Sequence, residues 1–176
     1  DQSHEVAAIV DDLLVVARSD IGKISVVSEE VDLHRAVETE LAETNHLRTS
    51  STRSISQSGS AVPVTADPQR VRQILRNLVT NALRYGGEDI RIGFAGDTTW
   101  SRVVVADNGP GIPEPEQETI FEPFRRAHNA PGQPGSLGLG LSVARKLAEV
   151  MDGTLVYRRA GFQSEFALTL PTCPRQ

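Results

Sequence analysis

The sequence predicts an α+β domain. It is a two-layer α/β sandwich in which a mixed, mostly antiparallel sheet is covered on one face by about three helices, with one more helix at the N-terminus. Three observations carry this. Apolar residues recur at helical spacing over about 32–47, 67–85 and 137–151. Short stretches of period two, with one apolar face, concentrate in the second half and end in a hairpin. The two kinds of stretch interleave, and a sheet with helices on one face buries both sets of apolar residues. The chain has 176 residues, of which 39% are hydrophobic and 23% charged, enough for one packed domain.

Val6, Ile9, Val10, Leu13, Leu14 and Ala17 form the stripe of a first amphipathic helix, with Asp11, Asp12 and Arg18 on its other side. The helix ends at Ser19-Asp20-Ile21-Gly22, and its stripe is expected to pack on something outside the main domain. Residues 23–28 read as a short strand. Asp32 caps a second helix carrying Leu33, Val37 and Leu41. Residues 53–57 and 62–65 read as short strands. Asp67 and Pro68 start the clearest helix, with Val71, Ile74, Leu75, Leu78, Val79 and Ala82 on one face, and Gly86-Gly87 stops it. Strands follow at 90–94 and 103–105. Residues 108–136 are rich in Pro and Gly, with Phe121 and Phe124 as their expected anchors. A connection of that length is usually functional. The last helix ends at Gly153. The closing hairpin turns at Ala160-Gly161, and its second strand puts Phe162, Ser164, Phe166, Leu168 and Leu170 on one face.

A formal net charge of −5 without a basic cluster argues against nucleic acid as a partner. The one cysteine, Cys173, has no internal disulfide partner, which favours a reducing compartment. No apolar run approaches the ~18 residues of a membrane span, and no signal peptide is visible. The chain opens inside an amphipathic pattern and reads as a piece of something longer. His34, His46 and His128 lack metal-ligand spacing and are expected to face solvent.

Three polar constellations stand out. Asn77, Asn81, Arg84 and Tyr85 lie at i, i+4, i+7 and i+8 of one helix. Two carboxamide oxygens one turn apart suit a hard cation such as Mg2+, and Arg84 suits phosphate. Asp107-Asn108-Gly109-Pro110-Gly111-Ile112-Pro113 follows a strand, and its glycines allow close backbone approach. Gly135-Ser136-Leu137-Gly138-Leu139-Gly140-Leu141 leads into a helix, where free N–H groups and the dipole attract anions. Val143 stands where a dinucleotide fingerprint needs glycine, and no Gly-Lys-Ser/Thr occurs. Each constellation alone also fits a blander reading: a solvated helix face, an ordinary turn, a glycine-rich loop.

In this order, the set resembles the nucleotide site of the GHKL ATPase superfamily in its sensor histidine kinase form. Asn77-Leu78-Val79-Thr80-Asn81-Ala82 with Arg84-Tyr85 is similar to the N box, 107–111 to the G1 box, Phe121-Glu122-Pro123-Phe124 to the F box and 137–141 to the G2 box. Gly135-Ser136-Leu137 stands where the family usually shows Gly-Gly-Thr. The resemblance covers about 23–171. It implies an ATP and Mg2+ site with Asp107 reading the adenine amino group, Tyr85 against the ring, Asn81 holding Mg2+ with Asn77 beside it, and Arg84 and Arg126 near the phosphates. Gly109, Gly111, Ile112, Phe124, Ser136, Leu137, Gly138, Leu139, Gly140 and Leu141 would complete the site, and residues at about 112–136 would form its lid.

Superfamily members that hydrolyse ATP carry Glu where Asn77 stands, so transfer to another acceptor is implied. The resemblance implies that 1–20 ends the second helix of a dimerisation and phosphoacceptor hairpin and that 21–176 is the catalytic domain. His4 lacks the sequence context of a phosphoacceptor, so the acceptor histidine is expected outside this chain. The implied partners are the chain's own dimerisation domain in a homodimer and a response regulator. The implied setting is the cytoplasmic part of a membrane-anchored sensor. A nucleotide-sensing module without catalysis, a serine-directed anti-sigma kinase and an acidic interaction domain without nucleotide are the alternatives.

Overall fold

A computed structural model of the chain describes residues 2–19, 24–45, 53–125 and 137–173. In order these form α1 (Gln2–Ser19), β1 (Glu29–Val31), α2 (Leu33–Glu43), β2 (Ser54–Gly59), β3 (Val64–Ala66), α3 (Pro68–Tyr85), β4 (Asp89–Gly96), β5 (Trp100–Asp107), α4 (Gly140–Val150), β6 (Thr154–Ala160) and β7 (Gln163–Pro171). The main sheet has the order β2-β4-β5-β7-β6, and only β2 with β4 is parallel. One face packs under α2, α3 and α4 and holds Ile92, Val103, Val105, Leu155, Leu168 and Leu170, all buried. The two-layer expectation is met.

Local chemistry explains where the helices start. The Asp32 carboxylate accepts from the His34 and Arg35 N–H groups. The Asp67 carboxylate accepts from Gln69 at 2.9 Å and from Arg70 at 3.2 Å, with Pro68 in the first turn. Its second oxygen takes the Val27 N–H at 3.0 Å and so fixes the chain before β1. The apolar face foreseen for α3 is buried from Val71 to Ala82.

Several expectations need correction. Residues 24–28 form no strand; the strand is 29–31, which pairs with β3 in a separate two-stranded sheet. The end of the first helix at 20–22 lies outside the described residues. Helix α1 does touch the domain: Asp12 and Val15 are buried, and the Gln73 amide donates to Asp12 at 2.8 Å. Val6, Val10, Leu13 and Leu14 stay exposed, so the stripe itself faces away. His34 stacks on Phe94 with ring centroids 3.7 Å apart and does not simply face solvent. Phe162 sits in the hairpin turn, 89% exposed, because the strand begins at Gln163.

Ile120 and Phe121 anchor the 112–125 segment. Ile120 is buried, and Phe121 sits edge-on to Phe166 under the Arg145 guanidinium. Phe124, the other expected anchor, is 63% exposed and adopts φ +64. Two short 3-10 turns shape this segment, so it carries structure of its own.

Candidate functional site

The C-terminal half of α3, the turn after β5 and the start of α4 converge at one end of the sheet. Asn77, Asn81, Arg84 and Tyr85 are half-buried along α3. The Asn77 amide donates to the Gly140 carbonyl at 3.0 Å, which ties α3 to the first residue of α4. A Cβ on Gly140 would lie 3.2 Å from Asn77 Oδ1, so the glycine permits this approach. Asn77 also lies near Asp12 on α1 and favours its ionised form.

Helix α4 starts at Gly140 after a buried Leu139, with no side-chain cap and no acidic residue in its first turn. Leu141 is half-buried in that turn and Leu137 is exposed before it. Among the described residues the N-cap thus gives no side-chain acceptor to the first N–H groups of this 11-residue helix, a setting that favours an anion. Gly138 has φ +71, and its carbonyl accepts the Phe124 N–H at 3.0 Å. A Cβ there would come within 2.6 Å of the Arg125 carbonyl oxygen. Gly138 is therefore needed where the two flanks of the 125–137 chain meet. Arg126 and Ser136 lie outside the described residues.

Asp107 ends β5, buried. Its Oδ1 accepts from the Gly109 N–H at 2.8 Å. Burial pushes its carboxyl above the ordinary carboxylate range, and the Gly109 N–H, Arg159, the Gly87 N–H and Arg53 offset only part of that. Gly109 is packed against α3: a Cβ would lie 2.9 Å from both Gly86 Cα and the Tyr85 carbonyl oxygen. A Cβ on Gly111 would overlap the Arg159 guanidinium, and φ there is +74. At both glycines an added Cβ would meet neighbouring protein atoms. Ile112 follows, and its N–H donates to the Tyr157 hydroxyl at 3.1 Å.

Sequence reasoning missed several residues here. Asp107, Ser164 and Arg159 sit in one register line across β5, β7 and β6. Arg159 Nη1 donates to Ser164 Oγ at 3.0 Å and to the Gly109 carbonyl at 3.2 Å. Arg53 donates to the carbonyls of Gly87 and Leu83, closing the C-terminus of α3. Gly86 matters for the space it leaves beside Asp107. One signal was legible: Ser164 and Arg159 are polar residues at positions whose period-two neighbours, Phe166 and Leu155, face the core. The arginine before β2 had no such signal.

Comparison with known proteins agrees with this geometry. Residues 66–174 match the family described as histidine kinase-, DNA gyrase B-, and HSP90-like ATPase. The chain is 36% identical over 169 residues to the adaptive-response sensory kinase SasA of Crocosphaera subtropica, covering 93% of this chain and 44% of that one. It is 32% identical over 169 residues to the sensor histidine kinase MtrB of Mycolicibacterium paratuberculosis, covering 93% of this chain and 30% of that one. The curated relatives are therefore much longer than this chain. The catalytic domain of the histidine kinase ThkA superimposes with a TM-score of 0.71 at 28% identity, covering 84% of this chain and 97% of that one. Family match, relatives and superposition converge on one assignment: this chain belongs to the histidine kinase-, DNA gyrase B- and HSP90-like ATPase family, as an ATP-binding catalytic domain of the sensor histidine kinase type.

Proposed function

We propose that the chain is the phosphate-donor half of a protein-histidine kinase. It would bind ATP with Mg2+ and present the γ-phosphate to a histidine on a dimerisation hairpin outside the chain, from which the phosphoryl group passes to a response-regulator aspartate. Residues 1–20 would then end that hairpin and 21–176 would form the catalytic domain, in the cytoplasmic part of a longer sensor. None of the described helices is long and apolar enough to cross a membrane.

The observation that carries the reading is the buried Asp107 carboxylate. An ionised carboxylate accepts about four hydrogen bonds. The Gly109 N–H takes part of that capacity at 2.8 Å, and the remainder suits the exocyclic amine of adenine. Tyr85 would lie against the base. Phosphates would reach the start of α4, where the residue before the helix offers no side-chain cap, flanked by Gly138, Leu139, Gly140 and Leu141, with Arg84 beside them and Arg126 and Ser136 of this same chain completing the set. Leu137, Ile112 and Phe124 would border the site.

The donor set fits Mg2+. Asn81 and Asn77 carry neutral oxygens one helical turn apart, and Asn77 has its nitrogen committed to Gly140, which orients its carboxamide. When bound, Mg2+ neutralises phosphate charge. The chain itself supplies positioning and electrostatic complementarity. No carboxylate stands at position 77 to activate water, which favours transfer over hydrolysis.

The test has two stages. Calorimetry should show Mg2+-dependent ATP binding by this chain, abolished in Asp107→Asn. A longer chain that includes the upstream hairpin should acquire acid-labile phosphohistidine from γ-labelled ATP. Binding without label would sink the kinase reading.

A further inference from the structure

On the covered face of the sheet, β6 places Leu155, Tyr157 and Arg159 at alternate positions. Leu155 belongs to the core. Two residues on, Tyr157 lies 5.0 Å from the Phe166 ring. Two further on, an arginine occupies what pattern alone would make an apolar or small position. Its guanidinium has definite work there. Nη1 donates to the Gly109 carbonyl and to Ser164 Oγ. The Tyr157 hydroxyl donates to the same Ser164 oxygen at 3.4 Å while accepting the Ile112 N–H at 3.1 Å. Both ends of the 109–112 turn are thereby tied to β6 and β7, with Ser164 as the shared acceptor. Gly111, at φ +74, lies against the guanidinium, where an added Cβ would overlap Nη1.

We propose that Arg159 is a positioning residue for nucleotide binding: it pins the 109–112 turn from behind and holds the Asp107 carboxylate where it meets the base. This rests on the reading of Asp107 as the base-recognition residue. Arg159 does not touch nucleotide in this account; it acts through the turn and through its charge. The charged and polar groups facing Asp107 are Arg159 from β6, Arg53 from the segment before β2, and the N–H groups of Gly87 and Gly109. Burial pushes the Asp107 carboxyl up, and Arg159 pulls it down. Base recognition needs the ionised form. Binding is then lost as pH falls through the Asp107 value, and loss of the Arg159 charge brings that limb to higher pH.

The experiment measures Mg2+-ATP affinity of the 176-residue chain against pH for wild type, Arg159→Ala, Arg159→Lys, Tyr157→Phe and Asp107→Asn. Arg159→Ala is expected to weaken binding roughly ten-fold at neutral pH, the size of one hydrogen bond to a charged group, and to move the acid limb upward. Arg159→Lys should keep the limb near its wild-type place while recovering part of the affinity, since it restores charge but not the fork. Tyr157→Phe should weaken binding without moving the limb. If Arg159→Ala fails to fold, the Lys and Phe variants decide the matter. Wild-type affinity and an unmoved acid limb in the Arg159 variants, with Asp107→Asn inactive, would overturn this inference alone. Undiminished binding by Asp107→Asn would instead overturn the base-recognition reading.

Discussion

Replacing Gly86 by alanine adds one methyl group between the end of α3 and Asp107. The backbone at Gly86 has φ −72 and ψ 170, which any residue adopts, so the substitution carries no conformational penalty. Its cost is steric. A Cβ would overlap the Ala82 carbonyl oxygen and would lie 2.8 Å from Asp107 Cβ and 2.9 Å from Asp107 Cγ, against about 3.4 Å for an ordinary contact, so the last turn of α3 must give and the aspartate must retreat by roughly 0.6 Å. Overpacking of this kind costs about 1–3 kcal/mol. For a chain of this length, about 2 kcal/mol lowers Tm by about 4–8 °C. Retreat also strains the 2.8 Å bond from the Gly109 N–H, and a hydrogen bond to a charged group is worth about 1.5–3 kcal/mol. Mg2+-ATP affinity should therefore fall at least about ten-fold. Calorimetric titration beside differential scanning calorimetry reads both quantities. Gly161→Ala is the control: with φ +60 and nothing within 4 Å of the added Cβ, it should cost about 1–2 kcal/mol of stability and leave affinity unchanged. Gly86→Ala chain that binds Mg2+-ATP within about two-fold of wild type would refute the argument that Asp107 fills the glycine's space.

Other consequences concern the elements around the site. Asn77→Ala removes the bond to the Gly140 carbonyl; it should weaken Mg2+-ATP binding about ten-fold or more while the far-ultraviolet circular dichroism stays native, and unchanged affinity would count against the site. Asp12 is held above the ordinary carboxylate range, first by burial, against the Gln73 hydrogen bond and the Arg76 charge. Its proton is bound more tightly in the folded chain, so its contribution to stability is largest at low pH and declines as pH rises from its unfolded value through its folded one. Asp12→Asn should then raise Tm at pH 7 and flatten the acid side of the stability profile; a lower Tm with an unchanged profile would contradict this. Leu147→Ala, fully buried on α4, should cost about 2–5 kcal/mol in urea unfolding, whereas Leu14→Ala on the exposed stripe of α1 should stay within about 0.5 kcal/mol.

How much was legible in the sequence depended on what kind of force set each feature. α3 was readable from Asp67 to Gly86 because its cap, its first-turn proline and its apolar stripe are local signals that agree. The edge strand β2 was harder to read, because a Ser-rich parallel strand is specified by its partner β4 and not by its own pattern. The strand expected at 23–28 fell instead at 29–31, where pairing with β3 selects it. Within the site, the asparagines and Asp107 announced themselves by spacing and motif. Arg159 and Ser164 showed only as polar residues on an otherwise apolar face, and Arg53 not at all, since their partners lie five to fifty residues away in sequence. The atoms that crowd Gly109 and Gly111 were hidden for the same reason: sequence shows where a glycine stands but not which atom would meet a side chain there.

The line of Ile90, Asp107, Ser164 and Arg159 across four strands has a consequence for insertions and deletions. Side chains alternate between faces, so a slip of one residue in any of these strands sends its member of the line to the opposite face. A single-residue deletion inside β5 or β7 would thus silence the site even if the sheet survived. The same deletion in the 97–99 turn between β4 and β5, beyond the paired residues, leaves every member of the line in place. Tolerance to length change should accordingly flip within a few residues along the chain, and that boundary maps the site without reference to any ligand.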